Sequence, residues 1–137
     1  MARILAIDYG GRRTGLAVTD PLQIIATGLK TVQTKDIFRF LKTYCETEEV
    51  EAIVIGESKN LDNTKTEISK EIDVFAQKVK SLLPKIKIHW IDERFTSKMA
   101  KHSMIMTGMK KKKRRQKEII DEISATIILQ SYMNTIN

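Results

Sequence analysis

The sequence predicts an α/β domain, a mixed β-sheet with helices packed on it. Three observations lead there. Strand-like apolar segments crowd the first 32 residues. From there the pattern changes to helix, strand, helix, strand, helix. The chain has 137 residues, 42% of them hydrophobic, enough for one core and too few for two comfortable ones. No internal repeat or linker breaks the pattern, so residues 1–137 are expected to form a single domain.

Arg3 to Asp8 (RILAID) is a short apolar run ending in a carboxylate, and Gly10 and Gly11 follow it: a buried strand and a turn. Gly15 to Thr19 (GLAVT) reads as a second strand, forming a hairpin with the first. Asp20-Pro21 punctuates the chain, and Ile24 to Val32 carries a third strand. Thr34 is the expected N-cap of a helix with Asp36 in its first turn. Along that helix Ile37, Phe38, Leu41, Tyr44 and Cys45 recur at helical spacing. Val50 to Ile55 (VEAIVI) is a buried strand closed by Gly56, and Ser58 to Thr66 is a polar loop. Ile68, Ile72, Phe75, Ala76, Val79 and Leu82 form the apolar stripe of a second helix, ended before Pro84. Ile86 to Ile91 is the last strand. Thr96 or Ser97 opens a short helix toward Met106, and a final helix covers roughly Gln116 to Met133.

Composition narrows the function. No apolar run approaches the ~20 residues that span a bilayer. The N-terminus lacks the apolar stretch of a secretory signal, and the single Cys45 cannot form an internal disulfide, so the cytoplasm is the expected compartment. The net charge is +7, and it is localised. Lys110 to Lys117 reads KKKKRRQK and holds seven of the 24 lysines and arginines; the remaining 17 balance the 17 Asp and Glu. Lys110, Lys111, Lys112, Lys113, Arg114 and Arg115 thus form one patch able to neutralise phosphates, and nucleic acid is the expected partner. A solvated loop would explain the same run without a partner.

The chemistry centres on carboxylates. Asp8 ends a buried strand, and the glycines after it let a phosphate backbone approach closely. Gly10 to Gly15 has P-loop spacing, but Leu16 and Ala17 stand where Lys and Ser or Thr are required, and GxGxxG is not met either. Asp92 and Glu93, with Arg94, end the last strand. Alternation places Ile86, Ile88, Trp90 and Asp92 on one face and Lys87, His89, Ile91 and Glu93 on the other, so only one of the two acids readily faces a site; capping of the following helix is the rival role. In the final helix Asp121 heads an apolar row of Ala125, Ile128 and Tyr132, where solubility alone would not place an acid. Glu118 and Glu122 suit the ordinary role of first-turn acids better. Three distant carboxylates without a Cys/His cluster point to a hard cation, Mg²⁺ or Mn²⁺, and so to phosphodiester hydrolysis. Arg12, Arg13 and Arg94 are candidate phosphate clamps.

These residues resemble a known family. Ile7-Asp8-Tyr9-Gly10 with Arg13, Gly15, Ala17 and Asp20, then Asp92 to Ser97 with Ala100, then Asp121 with Ala125, Ile128, Leu129, Gln130 and Tyr132 are similar to the YqgF (RuvX-like) family, in order and at the right spacing over nearly the whole chain. The resemblance implies a ribonuclease-H-like fold, with a five-stranded mixed sheet and acids gathered at one edge. It implies Asp8, Glu93 and Asp121 as metal-binding catalytic acids. It also implies a nuclease acting on the 5′ end of precursor 16S rRNA or, in the older description, on Holliday junctions, where a homodimer would make paired cuts. One departure stands out: the family's Gly-Leu-Pro after the central strand is here Gly56-Glu57-Ser58. Glu57 and Asp92 are therefore alternates for the second acid, and a simple loop substitution is the other reading of Glu57. Two rival classes remain, a catalytically silent RNA-binding module and a sugar-kinase-like phosphotransferase. The latter holds ATP between two such domains, and this chain supplies one.

Overall fold

Residues apolar on both faces need cover on both, and this demand organises the molecule. The computed structural model describes residues 2–57, 67–92 and 113–136, without the side chains of residues 67 and 113–117. β1 (Arg3–Asp8) carries Ile4, Leu5, Ala6 and Ile7, all buried. β2 (Arg13–Thr19) and β3 (Ala26–Gln33) follow it as antiparallel strands, while β4 (Val50–Glu57) and β5 (Lys87–Asp92) add in parallel. Among the described residues the five form one mixed sheet in the order β3-β2-β1-β4-β5. Helix α1 (Ile37–Thr47) crosses from β3 to β4, α2 (Glu67–Leu82) precedes β5, and α3 (Lys113–Ile136) ends the description.

Period-two alternation divides the core in two. Leu5, Ile7, Leu16, Val18, Ile53 and Ile55 face α1 and α2, meeting Ile37, Leu41, Ile72, Phe75 and Val79. Ile4, Ala6, Ala17, Ala52 and Val54 face α3, meeting Ala125, Ile128, Leu129 and Met133. The α3 face is lined by small residues, so this helix lies close to the sheet. At Gly15 a Cβ would collide with the Asp121 carbonyl.

The predicted strands all form; β2 and β4 are longer than their apolar segments, and β3 begins at Ala26 rather than at Ile24, which with Ile25 is exposed in the turn before it. β2 begins at Arg13 because Arg13 and Thr14 pair with Gln33 and Val32, and a ladder does not require apolar residues. α3 likewise runs beyond both predicted ends. One expectation is corrected. Thr34 does not cap a helix with its side chain: it opens a 3₁₀ turn, Thr34–Asp36, that leads into α1. Its hydroxyl instead donates to the Gly10 carbonyl (2.6 Å) and meets the Thr14 hydroxyl (2.9 Å), while its N–H donates to the Arg12 carbonyl. It ties the β1–β2 turn to the entrance of α1. Asp20, whose place in the family pattern had no stated role, closes the β2–β3 turn by accepting the N–H groups of Leu22, Ile24 and Ile25. The predicted polar loop Ser58 to Thr66 and the short helix toward Met106 lie outside the described residues.

Candidate active site

Asp8 is the last residue of β1, and alternation after Ile4 and Ala6 sets it on the α3 face. Its antiparallel partner across the ladder is Gly15, on the same face as Ala17. Gly15 is also where α3 touches the sheet, at the Asp121 backbone. Asp8 and Asp121 are therefore brought to one corner, the first as the ladder partner of Gly15 and the second packed directly on it. The β1–β2 turn beside them is tight: a Cβ on Gly10 would strike the Arg13 carbonyl, whereas Gly11 is open.

Asp121 is partly buried, and its Oδ2 accepts from the Arg13 Nε at 2.9 Å, with four-fifths of the acid's side chain and nearly three-quarters of the arginine's covered. Burial holds its carboxyl above the ordinary carboxylate range; Arg13 pulls the other way and Glu118 adds to the rise. Glu122, one position on, is also raised by burial, with the Thr31 hydroxyl lowering it and Glu118 and Asp121 raising it. The same Thr31 hydroxyl donates to the Glu118 carbonyl at 2.8 Å, fastening α3 to β3. Glu122 is thus docked against the sheet rather than an ordinary first-turn acid. Its spacing from Thr126 and Leu129 gave no sign of this, because the docking partner comes from β3.

The other candidates divide by position. Glu57 and Asp92 are register partners at the ends of β4 and β5, and alternation from Ile53, Ile55 and Ile88 places both on the α1/α2 face. His89 and Ile91 lie on the α3 face, His89 with its ring 5.0 Å from that of Tyr132. Arg12 is exposed in the β1–β2 turn. Arg13, read from sequence as a phosphate clamp, is paired with Asp121. Glu93, Arg94, Lys110, Lys111 and Lys112 lie outside the described residues; Lys113, Arg114 and Arg115 are in the first turn of α3, their side chains undescribed. Among the described residues no three Asp, Glu, His or Cys side chains gather as a ligand set. The two acids brought together at Gly15 offer hard oxygen donors, and this fits a divalent cation rather than zinc or a soft metal.

A sheet in the order β3-β2-β1-β4-β5, with an acid at the end of β1 and another on the helix that crosses it, defines a ribonuclease-H-like domain. Solved structures agree on the fold. The structure titled "T. thermophilus RuvC in complex with Holliday junction substrate" matches with a TM-score of 0.58 at 14% identity, over 100% of this chain and 97% of that one. The structure titled "Thermus thermophilus RuvC structure" matches with a TM-score of 0.53, also at 14% identity, over 97% of each chain. The family model of RuvX, described as Holliday junction resolvase, matches residues 2–135. A protein of Christiangramia forsetii named "Putative pre-16S rRNA nuclease" is 52% identical over 133 residues, 97% of this chain and 98% of its own. One of Bacteroides fragilis with the same name is 50% identical over 135 residues, 98% of each. The chain belongs to the RuvX family.

Proposed function

We propose that this chain is a divalent-metal-dependent nuclease that trims the 5′ region of precursor 16S rRNA in the cytoplasm. The observation that carries the proposal is the meeting of Asp8 and Asp121, from opposite ends of the chain, across Gly15. Relatives that share about half their residues with it over nearly its full length bear the precursor-rRNA name, which supports the choice of substrate.

Asp8 and Asp121 would hold Mg²⁺ or Mn²⁺ together with Glu93. Glu93 is favoured over Glu57 and Asp92 because alternation along the sequence gives it the parity of His89 and Ile91, the residues that face α3. A divalent ion held there supplies Lewis-acid charge that makes water nucleophilic at neutral pH and stabilises charge on the phosphate. Arg12, exposed at the turn, contacts a flanking phosphate, and Arg94 another. Arg13 holds the Asp121 carboxylate in place. The run Lys110 to Arg115 retains the strand by its phosphates and reads no bases.

The family description favours a second reading, cleavage of a four-way DNA junction by a homodimer with paired sites. One experiment compares the two. Purified chain is given precursor 16S rRNA and a four-way junction, with Mg²⁺ or Mn²⁺, beside Asp8→Asn. RNA cutting is expected to exceed junction cutting, and Asp8→Asn to lose on the order of a hundredfold or more in rate while still binding the substrate. Junction cutting without RNA cutting reverses the substrate order; an Asp8→Asn variant as fast as the parent removes the site.

A further inference from the structure

On the other face of the sheet, α1 and α2 leave a cleft of about 340 Å³ lined in part by Tyr9, the residue directly after Asp8. Tyr9 and Phe38 line it, backed by Phe75, which is buried in the core. The Tyr9 and Phe75 ring centroids lie 4.8 Å apart, and those of Phe38 and Phe75 lie 5.5 Å apart. Its rim is mainly cationic: Lys70, Val74 and Lys78 follow one another at i, i+4 and i+8 along α2, against the single acid Glu71. Lys78 Nζ stands 5.9 Å from the Phe38 ring centroid. Val74 is 56% exposed, an aliphatic side chain left in water at the mouth. Tyr9 and Phe38 are only half-buried, so part of each ring remains accessible.

We propose that this cleft is a base-stacking subsite: it takes one unpaired nucleobase of the bound strand, while Lys70 and Lys78 hold the phosphate attached to it. This rests on the nuclease reading and extends it, because the cleft begins one residue from Asp8, so a strand entering here leads toward the carboxylate corner. The partly accessible rings of Tyr9 and Phe38, with ammonium groups beside them, suit single-stranded nucleic acid, whose bases all present a π-face and whose backbone is anionic. A hydrophobic peptide would gain nothing from the lysines, and a duplex could not insert a base without first unpairing it. The subsite therefore selects an unpaired position next to the cut and leaves its base identity open.

The test uses a short single-stranded oligonucleotide carrying 2-aminopurine at successive positions, titrated with the full chain in Mg²⁺-free buffer. At one position the fluorescence is expected to be quenched on binding. Val74→Glu, a change at an exposed helix site, should abolish that quench and weaken binding about tenfold; Phe38→Ala should abolish the quench as well. Quenching retained in both variants, or seen at no position, overturns the proposal. Ribo- and deoxyribo-oligonucleotides are run in parallel, and a quench with either supports the subsite. Cleavage by the parent and by Asp8→Asn is measured separately. A chain that quenches but never cuts defeats the nuclease reading alone, and one that cuts with no quench defeats the subsite alone.

Discussion

Asp121 and Glu122 each hold their protons more tightly than an ordinary carboxyl, chiefly because burial strips water from the charged form. A group whose folded pKa is raised stabilises the fold when protonated. That contribution is lost as pH climbs from the ordinary values of 3.8 and 4.5 through the raised ones. Asp121→Asn should therefore flatten the fall in stability across that window, read from urea midpoints at a series of pH values. An unchanged slope would mean that Asp121 is no more burdened when folded than when unfolded. Asp20 is shifted the opposite way, lowered chiefly by the N–H of Ile25, and belongs to a turn rather than to the site. The pairing of Arg13 with Asp121 was beyond sequence reasoning, since the residues lie 108 positions apart. Either could be singled out alone, but nothing in the spacing joins them.

At the scale of elements, the decisive contact is α3 against β2. Gly15→Ala places a methyl group against the Asp121 backbone, and backbone cannot turn aside as a long side chain can. It should cost about 1–3 kcal/mol, the range for overpacking a fitted interior, and appear as a lower denaturant midpoint. A midpoint equal to the parent's would show that α3 can lift away freely. The strands and α1 to α3 were legible because their apolar residues repeat with periods of two and 3.6, and burial on a sheet or helix face enforces those periods. Asp121 was legible for the same reason: Ala125 and Ile128, the row it heads, are buried against the sheet. Thr34 was misread because its cap signal is local, whereas its hydroxyl is used by Gly10 and Thr14 across the turn. The parity of Glu57 became readable only once β4 was aligned with β1 and β5. The aromatic cleft also escaped the sequence, because Tyr9, Phe38 and Phe75 come from a strand end and two helices.

For the whole molecule, charge and chemistry reside in different segments. The excess of +7 is carried by the run ending at Lys117, while Asp8 sits in an otherwise neutral chain. Binding should therefore weaken with salt through that run, whereas the cleavage step should not. Replacing Lys110, Lys111 and Lys112 with Gln is expected to reduce the slope of log K against log salt by about 2 on single strands. The rate at saturating substrate should be left unchanged. Fluorescence anisotropy across a salt series provides the slope, and an unaltered slope would place the phosphate contacts elsewhere.

The corner at Gly15 joins the first strand to the last helix, and this bears on when the protein can act. A chain leaving the ribosome exposes Asp8 well before Asp121, with 112 residues between them. Until α3 settles across β2, Asp8 has no Asp121 beside it. If the two acids act together as proposed, the nascent chain is inert until α3 has been made, while still attached to a particle made of the kind of RNA it is proposed to cut. On that reading, a message truncated before α3 would yield an inactive product.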